Sequence, residues 1–128
     1  MQPAATNEDR CKQRDIQARA FAFACRIVRL YQFPARHKGA GEVLGRQVLR
    51  SGTAIGANLE EASGGQSRAD FTSKCSIALK EARETHYWLR LLKETQIIRA
   101  DRIDHLVTES DELVAILTTI VKKSRSCR

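Results

Sequence analysis

The sequence predicts an all-α protein, an antiparallel up-down-up-down four-helix bundle built as one domain. Three observations carry that expectation. Apolar residues recur at alternating steps of three and four along most of the chain, no stretch alternates apolar and polar residues as a strand would, and only two prolines and seven glycines interrupt 128 residues. A chain of this length that is 42% hydrophobic and 29% charged can bury a core of its own. Aromatics make up 5%, so the core is expected to be aliphatic and alanine-rich.

Residues 1–14 are polar and aperiodic and are expected to be a mobile segment. The bundle should occupy 15–124, and 125–128 should form a basic tail. In the first helix Ile16, Ala20, Phe23, Ile27 and Leu30 make one stripe, while Phe21, Ala24, Val28 and Tyr31 widen the apolar surface to one side. The helix should stop near Phe33, because a residue before proline (Pro34) is steered out of the helical region. The segment 34–41 reads as a loop.

The second helix, 42–62, places Leu44, Val48, Ser51, Ile55, Asn58, Leu59 and Ala62 on one face. Gly52 and Gly56 lie one turn apart inside it, each at about 1 kcal/mol of helix propensity relative to alanine. Such a small-residue patch suits close approach of another backbone. Gly64 and Gly65 end the helix, and Ser67 with Asp70 resembles a capping arrangement for the third. That third helix, 68–95, steps by four and three through Phe71, Cys75, Ala78, Ala82, Thr85, Leu89 and Leu92. A neighbouring stripe sets Glu81 and Glu84 between Ile77, Trp88 and Leu91. The fourth helix, 101–124, buries Ile103, Leu106, Val107, Ser110, Leu113, Val114, Leu117, Ile120 and Val121. Short turns between the last three helices force antiparallel neighbours.

The chemistry legible in this pattern is mostly structural. A di-metal bundle site needs two Glu-x-x-His repeats. Here Glu84 and His86 are two apart and Asp104 and His105 adjacent, so neither pair shares a face, and Glu109, one turn from His105, lacks a second copy. No metal or cofactor is expected. Arg50, Asn58, Glu61, Glu81 and Glu84 are better read as a polar network that fixes register, with Arg90 near it in pattern, than as an acid/base site. No nucleophile with its base and no phosphate loop is present, so no enzyme, catalytic residue or small-molecule substrate is expected. Cys11, Cys25, Cys75 and Cys127 form no Cys-x-x-Cys pair, which fits a reducing cytoplasm. Cys25 and Cys75 should pack as small hydrophobes. Arg14, Asp15 and Arg19 rule out a signal peptide ahead of Cys25, and no apolar run is long enough to span a membrane.

The net charge is +7 at a pI near 9.6. Arg19, Arg26, Arg29, Arg36 and Lys38, with Lys122, Lys123 and Arg125, are the candidate contacts to nucleic-acid phosphates. Tyr87 and Trp88 beside Arg83 and Arg90 could stack on bases, although leucines at helical spacing around the tryptophan favour packing. Phe21, Val28, Gly52, Gly56 and Trp88 are the candidate contacts between subunits.

Leu49-Arg-Ser-Gly-Thr-Ala-Ile-Gly-Ala-Asn-Leu-Glu-Glu-Ala62, then Asp70-Phe71, then Ser76-Ile-Ala-Leu-Lys-Glu-Ala-Arg-Glu-Thr-His-Tyr-Trp-Leu-Arg-Leu-Leu92 resemble a bacterial family. Its members are products of intervening sequences in 23S ribosomal RNA genes, also labelled S23 ribosomal proteins. The resemblance covers 15–122, with Ala54 where serine is frequent and Leu59 where isoleucine is commoner. It implies an antiparallel four-helix bundle able to form a homopentamer. It also implies kinship to the accessory variability protein of diversity-generating retroelements, a basic pentamer that binds nucleic acid and a reverse transcriptase. It supplies no catalytic residue. The expected function is therefore a non-enzymatic oligomer that binds RNA or DNA through a basic surface. The alternative is a protein–protein scaffold whose charge serves solubility.

Overall fold

A computed structural model describes residues 7–32, 38–65 and 67–126, apart from the side chain of Asp9. Four helices follow one another: α1 (Asn7–Leu30), α2 (Ala40–Ser63), α3 (Arg68–Glu94) and α4 (Ala100–Ser126). No strand occurs among the described residues. Facing pairs give the direction of each helix. Ala20 meets Gly56, Ile27 meets Gly52 and Tyr31 meets Gly45, so α2 runs against α1. Ser51 reaches Thr85 while Glu61 reaches Lys74. Thr72 reaches Ser124 while Lys93 reaches Asp104. The bundle is up-down-up-down, as the sequence predicts.

The predicted stripes supply the core. Ile16, Ala20, Phe23 and Ile27 of α1 are buried with Val48, Ile55 and Leu59 of α2, Ala78, Ala82, Leu89 and Leu92 of α3, and Ile103, Leu106, Leu113 and Leu117 of α4. Cys75 is buried among them, whereas Cys25 is half-buried. Leu30 packs on the core only partly. The polar members of the stripes are satisfied locally. Thr85 donates to Ser51 at 2.7 Å, and Ser51 donates to the Gln47 carbonyl at 2.9 Å. That buried hydroxyl pair ties α2 to α3 without an unmatched donor.

Helix ends differ from the sequence expectation in instructive ways. α1 begins at Asn7, inside the segment 1–14 expected to be mobile. Residues 7–14 carry no apolar stripe, and a Glu8–Lys12 ion pair at 3.0 Å supports that first stretch locally. Periodicity cannot detect a helix of that kind. At its other end α1 stops at Leu30, where Tyr31 and Gln32 close the last turn onto the Val28 and Arg29 carbonyls. Phe33 and the first half of the loop predicted over 34–41, residues 34–37, lie outside the described residues. α2 takes in Ala40 and Gly41 at its start.

Ser67 caps α3 as expected, accepting from the Asp70 backbone N–H at 3.1 Å. The α3–α4 turn contains no glycine. Gln96 adopts the left-handed φ of 61°, and Ile98 folds back with its N–H on the Leu92 carbonyl at 3.3 Å and its side chain buried. A left-handed non-glycine residue costs roughly 1–2 kcal/mol. Burial of Ile98, worth about 1.5–3 kcal/mol, offsets it.

Candidate nucleic-acid interface

The sequence candidates separate into three groups once folded. Arg19 points from α1 to α4 and is occupied there: its guanidinium donates to Glu109 at 3.1 Å through Nε and to Glu112 at 2.9 Å, and a second nitrogen also contacts Glu109. Hydrogen bonding from Arg19 holds the Glu109 carboxyl below the usual carboxylate range against the cost of its burial. Arg19 is thus neutralised and clamps α1 to α4, the most lightly packed of the bundle's four principal helix pairs. Arg26 lies beside the same face of α4, where it acts electrostatically on His105 and Glu109. Arg29 and Lys38 are exposed toward that end of the bundle. Lys122, Lys123 and Arg125 are exposed at the other end, about 25 Å further along α4 from His105 to Lys122 at 1.5 Å per residue. The described members of the set do not form one surface, and Arg36 lies outside the described residues.

The predicted polar network forms in part. Arg50 bridges to Glu81 at 3.2 Å and to Glu84 at 2.7 Å, joining α2 to α3. The Arg50 hydrogen bond, aided by one from Trp88 Nε1 at 3.3 Å, keeps the Glu84 carboxyl low. Glu61 instead pairs with Lys74 at 2.8 Å, and Asn58 donates to the Ala54 carbonyl of its own helix at 2.8 Å. Arg90 stays out of the network, over the Tyr87 ring.

Among the candidate subunit contacts, Phe21 and Val28 are exposed, at 68% and 43%. The antiparallel register that sets Ile27 on Gly52 brings Val28 level with Leu49, itself exposed at 37%, so the α1–α2 side carries an apolar strip. Gly52 and Gly56 have a different placement. A Cβ on Gly52 would lie 3.1 Å from Ile27 Cγ1, and one on Gly56 3.6 Å from the Ala20 backbone. The close approach they allow is made by α1 of the same chain. Trp88 is half-buried against the core.

The α3–α4 side gathers cations that the sequence reading left dispersed. On α3, Lys80, Arg83, Tyr87 and Arg90 are spaced three, four and three apart, so they share an exposed stripe. On α4, Asp104 and Asp111 face α3, pairing with Lys93 at 2.6 Å and His86 at 3.9 Å. Three helical turns beyond Asp111, Lys122 falls on that same face, and Arg125 donates to Ser76 of α3 at 3.3 Å. Lys80, Arg83, Arg90, Lys122 and Arg125 make no ion pair among the described residues, although Lys80 acts at longer range on Glu84. His86 adds no charge near neutral pH: burial, then Arg90, holds its imidazole below the ordinary value against the pull of Asp111. Asp111 is therefore the carboxylate left to oppose the cluster at its centre.

Tyr87 sits inside this cluster with its ring half-exposed (51%). The Arg90 guanidinium lies 5.9 Å from the ring centroid, and Trp88 meets the ring edge-on at 5.2 Å. An exposed cation–π contact is worth about 0.5–1 kcal/mol, so Arg90 is lightly held. Spacing on the face opposite the core stripe is the sequence signal that could have added Lys80 to Arg83 and Arg90, which the sequence already sets beside Tyr87. What it lacked was the α4 residues that complete the patch.

Chemistry of other kinds finds less support. No group of three or more His, Cys, Asp or Glu positioned for a metal occurs among the described residues. A depression at the α3–α4 turn, lined by Lys93, Gln96, Ile98, Arg99 and Asp101, is open to solvent, and Arg99 and Asp101 pair with each other within it at 3.0 Å. No helix of the described residues is long and apolar enough to cross a membrane.

Comparison with known proteins places this architecture. Residues 12–119 match the family model described as 23S rRNA-intervening sequence protein. No curated protein matches the chain. The crystal structure of a protein of unknown function from the S23 ribosomal protein family of Bacteroides thetaiotaomicron is similar, with 44% identity and a TM-score of 0.78. That likeness covers 87% of this chain and 98% of the other.

Proposed function

The chain belongs to the 23S rRNA-intervening sequence protein family, and on that footing we propose that it is a non-catalytic, self-associating bundle that binds nucleic acid through its α3–α4 face. The observation that carries this reading is the set Lys80, Arg83, Arg90, Lys122 and Arg125, unneutralised on one face of a chain of net charge +7. Phosphate contacts made by such a set release counterions and need no base specificity. The apolar strip of Phe21, Val28 and Leu49 lies on the α1–α2 side, opposite the basic face, so copies joined through it, up to the pentamer the resemblance implies, keep their cations outward. Free Cys11, Cys25 and Cys75 suit a reducing, cytoplasmic setting.

The test compares two charge-reversed proteins by gel shift on RNA and DNA at low salt. Lys80→Glu/Arg83→Glu/Lys122→Glu should abolish binding, and Arg26→Glu/Arg29→Glu should leave most of it. The opposite ranking would move the interface to α1. A wild-type protein that binds neither nucleic acid at low salt would favour the scaffold reading, in which the same charges serve solubility. Light scattering reads assembly: Phe21→Asp should reduce the mass toward one subunit, and a wild-type monomer would remove self-association from the proposal.

A further inference from the structure

We infer that the α3–α4 face takes single-stranded nucleic acid, with a base stacked on the Tyr87–Arg90 platform while the flanking cations hold the neighbouring phosphates. The inference rests on the reading of that face as a nucleic-acid interface. A phosphate-binding surface for duplex needs cations and shape alone, because paired bases are stacked inside the helix. This face has an added element without use for a duplex. An aromatic ring stands half-exposed in the middle of the basic stripe, bracketed by Arg83 four residues before it and Arg90 three residues after it. Side chains at those spacings are neighbours on a helix surface, about 5–6 Å apart, close to the separation of successive phosphates on an extended strand.

Two features equip the ring for stacking. Trp88 meets it edge-on at 5.2 Å and is itself half-buried and hydrogen-bonded to Glu84 at 3.3 Å, so the ring is backed from within the bundle. Arg90 lies over the ring at 5.9 Å with no carboxylate holding it. A planar base can therefore stack on the ring, on the guanidinium, or between them. Lys80 and Arg83 toward Arg125 and Lys122 then continue the phosphate track along the groove between the helices. Every base has a π-face, so little sequence preference is expected.

The experiment measures fluorescence anisotropy of labelled twelve-nucleotide strands, ribo- and deoxy-, alone and annealed to their complements, against four full-length proteins. Wild type should bind the single strands more tightly than the duplexes. Tyr87→Ala should lose about tenfold on single strands, the factor that 1.4 kcal/mol of stacking corresponds to, and less than twofold on duplexes. Tyr87→Phe, which keeps the π-face, should bind as wild type does. Arg83→Gln/Arg90→Gln should weaken both forms and lower the single-strand salt slope by about 1.4. Circular dichroism confirms that each variant keeps its helices. If Tyr87→Ala loses nothing or loses equally on both forms, while the arginine variant loses on both, the stacking inference falls and the interface stands. If the arginine variant binds as wild type does, the interface itself is wrong. A ribo- or deoxy- preference identifies the source of the strand, and either preference fits the stacking geometry.

Discussion

Gly52 and Gly56 offer a paired test of how α1 is seated, because one change of chemistry should have opposite effects one turn apart. Alanine at either position gains about 0.5–1 kcal/mol from helix propensity and from a less flexible unfolded chain. At Gly56 the new methyl would meet the Ala20 backbone at 3.6 Å and its Cβ at 3.7 Å, ordinary contact distances. The gain is kept, and Gly56→Ala should raise Tm by about 3–4 °C. At Gly52 the methyl would sit 3.1 and 3.3 Å from the two Cγ atoms of Ile27, a side chain with no exposure and so no open space to swing into. Overpacking of that kind costs about 1–3 kcal/mol, which leaves Gly52→Ala near neutral to about 2 kcal/mol less stable. Urea and thermal unfolding followed at 222 nm would separate the two by about 1–3 kcal/mol in the stated order. Equal shifts in the two variants would refute the intrachain packing argument. A loss of assembly with unchanged subunit stability in both would return the glycines to a subunit contact.

Three further outcomes follow from the same structure. Arg19→Met strands Glu109, whose side chain is only 15% exposed, and should cost about 1–2 kcal/mol in urea unfolding, whereas Glu112→Gln, at an exposed partner, should cost less than about 0.5 kcal/mol. Stability should fall from pH 8 to 3.5 in two windows. His86 and His105 are held low mainly by burial, so the unfolded chain takes up their protons more readily and stability is lost as pH drops through about 6.5 and below. Glu84 and Glu109 are held low by the Arg50 and Arg19 hydrogen bonds, so their contribution is present above the unfolded value of about 4.3 and is lost as pH falls from there through their folded values. A stability maximum near pH 5 in urea midpoints would contradict this. Cys75 is buried, which pushes its thiol up to about 11, so native-state maleimide labelling mapped by mass spectrometry should modify the exposed Cys11 and spare Cys75.

Much of the architecture was legible because burial writes a period into a helix. Ile16 through Ile27, Phe71 through Leu92 and Ile103 through Val121 announce their elements, and the short turns among the last three make them antiparallel. The Asn7–Arg14 turns and the Gln96 corner were not legible. One has no buried face to impose a period, and the other uses a left-handed residue that composition does not flag.

The site was less readable for a related reason. Sequence spacing reports which residues share a face of one helix. It cannot report what stands opposite that face. Arg19 and Lys80 look alike as exposed cations in the sequence, yet Arg19 meets Glu109 and Glu112 across to α4, while Lys80 joins an uncancelled patch completed by Lys122 and Arg125. Gly52 and Gly56 likewise declare a close approach without naming the approaching helix, which proved to be α1. Local spacing determined the helices and their greasy seams, since those depend on each segment's own periodicity. Tertiary packing decided which cations are neutralised across helices, as Arg19 is and Lys80 is not, because that partnership depends on distances between segments remote along the chain.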